Sequence, residues 1–114
     1  MARLRTFLLR LTFGDKAPDR MPEYLVNGFE VGFDEVVGEL APGKTVMATA
    51  HPESYPHTLI LRGPDTDQWD IHEAAITYYY EDEDPWTCRL GAVILRAEED
   101  LQLLYTRPNR IVEV

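Results

Sequence analysis

The sequence predicts a mostly β fold, a single-domain antiparallel β-sandwich or flattened barrel of about eight strands. Three observations predict it. The hydrophobic pattern repeats mostly every second residue, turn residues interrupt it every eight to twelve positions, and an Asn-Gly pair sits between two short strand-like runs.

The first run places Phe7, Leu9, Leu11 and Phe13 on one face and Leu8 and Arg10 on the other, until Gly14-Asp15-Lys16-Ala17-Pro18 ends it. Runs at 23–26 and 29–33 flank Asn27-Gly28, the dipeptide favoured where both central residues of a hairpin turn need positive φ. At 34–40 two assignments compete: Phe33, Val36, Val37 and Leu40 match one face of a short helix, while Gly38 weakens it. Pro42-Gly43 predicts a type II turn. Residues 45–50 and 58–62 read as strands around a loop, 51–57, stiffened by Pro52 and Pro56.

After a break at 63–67 come two long runs, 69–80 and 86–96, joined by 81–85 as one hairpin. The second run has Trp86, Cys88, Leu90, Ala92 and Ile94 on one side and Val93 and Leu95 on the other, and apolar residues on both faces predict a central strand. Residues 98–100 turn the chain into 101–105, and 107–109 turn it into 111–114, with a short helix over 97–104 as the competing assignment.

A chain of 114 residues fits one domain over 1–114, long enough to bury a core without disulfides. Cys88 is the only cysteine, which fits a reducing compartment and predicts a cytoplasmic protein. Arg10 interrupts the amino-terminal apolar run and no cleavage site follows, so that stretch reads as a first strand and not a signal peptide. No run approaches the ~18 apolar residues of a membrane span, and no membrane partner is expected.

The formal charge is −9, and residues 63–114 hold most of it, with 12 acidic against 4 basic groups, whereas 1–62 are nearly balanced at 8 against 7. That sign repels nucleic-acid phosphates and attracts basic surfaces. The expected partner is therefore a protein with a basic surface, with no direct nucleic acid contact.

Short connections favour alternating strand directions from residue 45 onward. The loops 51–57, 81–85 and 106–109 then share one end, and 42–44, 63–68 and 97–100 share the other. A 12-residue strand spans about 40 Å, so groups in opposite sets cannot form one site.

Few residues carry recognisable chemistry. His51 and His57 could share an end with the acids at 81–84 and are weak candidates for a metal site, whereas His72 lies toward the other end. Asp65 and Asp67 could share a calcium site with Glu98, Glu99 and Asp100, but no EF-hand spacing is present and an Asp-rich turn leading into a strand is the favoured explanation. Cys88 lies within an apolar strand, where thiols are inert packing groups, and Ser54 lacks a nucleophile-elbow context. There is no P-loop or GxGxxG, so no catalytic residue is assigned and no cofactor is expected.

The strongest recognition feature is the hairpin tip Glu81, Asp82, Glu83 and Asp84, with Tyr78, Tyr79 and Tyr80 before it and Trp86 after. Consecutive tyrosines on a strand point to both faces, so at least one aromatic face is exposed or covered only by an edge. Tyr and Trp are favoured at interfaces, and rim carboxylates steer basic partners. These residues are the expected partner-binding set of a small non-enzymatic interaction module. By analogy of charge and size it would act as an inhibitor, immunity or anti-defence protein, its carboxylates in the extreme imitating phosphates. Two alternatives stand beside it: a homo-oligomeric assembly subunit joined through its tyrosine face and strand edges, and a small metal-assisted enzyme or ligand-binding domain using His51 and His57.

Overall fold

The computed structural model describes residues 3–105 and contains nine strands and no helix among them. They run β1 (Leu4–Phe13), β2 (Tyr24–Val26), β3 (Phe29–Val31), β4 (Glu35–Gly38), β5 (Thr45–Ala50), β6 (Leu59–Leu61), β7 (Gln68–Tyr80), β8 (Trp86–Arg96) and β9 (Leu101–Gln102). Two antiparallel sheets form, a five-stranded one in the order β4-β5-β1-β7-β8 and a four-stranded one in the order β3-β2-β6-β9.

 Among the described residues neither sheet closes on itself, and the two sheets form a sandwich, the first of the two expected architectures.

β1 is the centre of the larger sheet, paired with β5 on one side and β7 on the other. Its alternation does what the sequence predicts: Phe7, Leu9, Leu11 and Phe13 are buried, and Arg10 faces water. A register irregularity between Leu4 and Thr6 lets Leu4 join the same core despite its even position. Tyr24, Val26, Leu59, Leu61, Leu101 and Leu103 close the core from the smaller sheet. Burying side chains of this size stabilises the fold by roughly 1.5–3 kcal/mol each. The opposite face of the large sheet is mixed, with Thr12 bonded to Thr45 at 2.8 Å and Thr77 to Thr87 at 2.7 Å, and with Val37 and Met47 exposed in the row of Arg10.

The Asn27-Gly28 hairpin forms as expected, with φ of 51° and 85° at the two turn residues. Lys44 donates its N–H to the Ala41 carbonyl across Pro42-Gly43, closing the predicted turn there.

Two competing helix assignments fall away and one expectation is corrected. Residues 34–40 form an edge strand, β4, and not a helix. Phe33 and Leu40 reach the core from either side of it, which produced the helix-like spacing. Residues 97–104 form a turn and β9 and not a helix, because Leu101 and Leu103 alternate inward with period two. β8 is an edge strand and not a central one. A bulge opposite residues 71–75, with Gly91 at φ 75°, shifts the alternation by one, so Trp86, Cys88 and Leu90 before it and Val93 and Leu95 after it all turn to the core. The expected turn at 107–109 and strand at 111–114 lie outside the described residues.

Candidate functional site

The loops sort into two ends, as strand alternation predicts. At one end the Arg3 carbonyl accepts the Glu81 N–H at 2.9 Å, and Leu4 and Ser54 bridge through their backbones, so the start of β1, loop 51–57 and tip 81–85 are neighbours. At the other end Lys16 pairs with Asp67 at 2.9 Å, and Glu98 donates its N–H to the Pro64 carbonyl.

The tyrosine triplet divides between faces. Tyr78 is fully buried, its ring 4.7 Å from the cross-strand Trp86 and 6.0 Å from Tyr80. Its hydroxyl donates to the Leu103 carbonyl and accepts the Tyr105 N–H at 3.2 Å. Burial, which disfavours the phenolate, pushes Tyr78 well above the ordinary tyrosine value. Tyr78 is therefore a core residue and leaves the surface set. Tyr79 points to the outer face and is 41% exposed. Tyr80 is half-buried, and burial first, then the nearby Glu83 carboxylate, raises its pKa.

The acids also divide. Glu81 is tied into the fold by Arg3 at 3.5 Å, and Arg3 reaches Glu53 at 3.3 Å, with Arg5 3.7 Å from the same carboxylate. Asp82, Glu83 and Asp84 are exposed and make no ion pair among the described residues. Asp82 takes a left-handed φ of 61°, which short polar side chains tolerate in a turn. The tip thus presents three carboxylates to solvent, beside Tyr79, Tyr80 and Trp86.

A shallow recess of about 540 Å³ adjoins this end, lined by Arg5, Thr6, His51, Glu53, Tyr79 and Tyr80. His51 Nδ1 lies 3.0 Å from the Thr6 hydroxyl, and the His51 backbone N–H donates to the Asp34 carboxylate at 2.8 Å. His57 is held elsewhere, its N–H bonded to the Asn27 side-chain carbonyl at the β2–β3 turn. The two histidines thus have different neighbours, and no group of three or more His, Cys, Asp or Glu that could hold a metal ion forms among the described residues. At the far end, where the sequence allowed a calcium site, Asp67 pairs with Lys16, Asp100 accepts the Gly63 N–H and Glu99 accepts the Arg96 N–H. Cys88 is half-buried against the core, and the Ser54 hydroxyl is buried without a hydrogen-bond partner among the described residues.

Sequence reasoning missed Arg3 and Arg5, which supply the basic side of this end. Their signal was the position of β1 beside β7, and no local pattern encodes that pairing. The loop 106–109, expected at this end, lies outside the described residues.

These features define an all-β sandwich with an acidic, aromatic-flanked hairpin tip. No family model, curated protein or solved structure matches the chain.

Proposed function

We propose that the chain is a non-enzymatic interaction module that binds a basic protein surface through its hairpin tip. The observation that carries this reading is the trio Asp82, Glu83 and Asp84, exposed and outside the ion-pair network that holds Glu81. Carboxylates so placed steer association with cations, and Tyr79, Tyr80 and Trp86 supply apolar area next to them. A backbone bond to Arg3 and the Arg3–Glu81 pair fix the base of the tip, which lowers the ordering cost of binding. The reading places the module in the cytoplasm and in the inhibitor or immunity class, with phosphate imitation weakened because Arg3 and Arg5 make this end mixed in charge.

The test is capture from a lysate of the native host, comparing the intact chain with a variant carrying Glu81→Gln, Asp82→Asn, Glu83→Gln and Asp84→Asn. A basic protein retained by the intact chain at low salt, and lost both at high salt and from the variant, supports the reading. Equal retention by both chains contradicts it.

A further inference from the structure

β4 and β3 are the outer strands of their two sheets, and the short link 32–34 joins them, so both edges lie on one flank of the sandwich. We propose that this flank is a second docking surface, which takes an extended segment of a partner with alternating apolar and basic side chains as an added strand beside β4.

The flank is an unfinished part of the core. In the hairpin register Phe29 stands opposite Val26 and Val31 opposite Tyr24, both core residues, and Val36 stands opposite the buried Ala48. Phe29, Val31 and Val36 therefore face the space between the sheets, yet they are 74%, 38% and 42% exposed. Phe33 enters that space, with its ring 5.0 Å from Tyr24 and 5.8 Å from Phe7. An incoming strand whose inward side chains are apolar would cover the three that remain.

The backbone is ready to receive it. β4 is held from its inner side by β5, with Asp34 N–H bonded to the Thr49 carbonyl at 2.8 Å and the Asp34 carboxylate holding His51. Its other side carries no strand among the described residues. Edges that are not meant to pair are blunted by bulges and cations. β8, the opposite edge of the same sheet, has the Gly91 bulge together with Arg89 and Arg96, whereas β4 has neither device.

Charge selects the occupant. Between Arg20 and Lys44 the chain has five acids, Glu23, Glu30, Asp34, Glu35 and Glu39, and no base. Glu30 is matched by Arg62 at 2.9 Å, but Glu35 stands in register with the outer-face Thr49 and has no ion pair among the described residues. Outward basic side chains on an added strand would lie opposite it, while a second copy would bring five more acids to the same edge. Main-chain bonds would give affinity and the alternation specificity.

This surface is independent of the tip, and the test separates them. The probe is a blocked peptide of alternating valine and lysine, long enough to span β4, titrated into the isotopically labelled full chain. The expected result is saturable amide shifts at residues 29–38, slowed exchange of β4 amides, and unchanged affinity in the tip-neutralised variant. Glu35→Lys with Glu39→Lys, both at exposed positions, weakens binding roughly tenfold while preserving the spectrum elsewhere. Shifts confined to residues 81–86, equal binding by a valine–glutamate peptide or by one with a central proline, or a peptide-independent dimer that protects β4 would each overturn the proposal.

Discussion

The two ends of the sandwich carry similar numbers of carboxylates and use them differently. At the far end Asp67, Glu99 and Asp100 are engaged by the fold, one in an ion pair and two as acceptors for backbone N–H groups of the loops they shape, and the exposed Asp65 and Glu98, in separate loops, make no side-chain bond among the described residues. At the tip end only Glu53 and Glu81 are engaged, by Arg3 and Arg5, and the three acids beyond them face water. A count of acids therefore does not locate a recognition surface; what matters is which carboxylates the chain leaves without an internal task.

The largest effect expected from breaking this contrast is at Gly63. A β-carbon there would overlap the Glu99 carbonyl, so Gly63→Ala forces the far-end loops apart and costs about 3 kcal/mol, read as a lower urea midpoint at unchanged slope. An unchanged midpoint would mean that the loops do not approach as described.

Alkaline titration probes the buried tyrosines. Burial, then Asp34, pushes Tyr24 up to about 12, and burial raises Tyr78 as well. A raised tyrosine stabilises the fold fully below the unfolded value near 10, and that contribution is lost as pH climbs toward the folded value. Stability measured by urea should fall between pH 10 and about 12, with part of the phenolate absorbance appearing only on unfolding. A smooth titration of all tyrosines in the folded state would contradict their burial.

Tyr78→Phe leaves the Leu103 carbonyl and Tyr105 N–H without their shared partner and costs about 1–3 kcal/mol, whereas Tyr79→Phe stays within about 0.5 kcal/mol. The smallest pair of effects separates the two ends directly. Asp100→Ala removes the acceptor of the Gly63 N–H and costs about 1 kcal/mol, while Asp84→Asn changes stability by less than about 0.5 kcal/mol. Equal costs would erase the distinction between engaged and free carboxylates.

Much of the fold was legible because period-two burial and turn chemistry are local. The alternation of β1, the Asn27-Gly28 turn and the bounds of β8 follow from residues adjacent in sequence. The misread elements are those whose pattern comes from tertiary context. Gly91 gives little warning that the strand's inward face changes parity there, and Phe33 and Leu40 mimic a helical face because an edge strand dips into the core at both ends. At the candidate site, the tip acids and the opposed facing of consecutive tyrosines were readable. The burial of Tyr78, the role of Arg3 and the separation of His51 from His57 depend on which strands pair, and strand order is not written in any local run.

The central claim is that the tip carboxylates are free in order to meet a basic partner. Its most direct test is the salt dependence of the association constant for the captured partner, measured with the intact chain and with the chain neutralised at all four tip acids. The intact chain should bind less tightly as salt rises, and the neutralised chain should bind weakly with a much shallower slope. Identical affinities and slopes for the two chains would contradict the account.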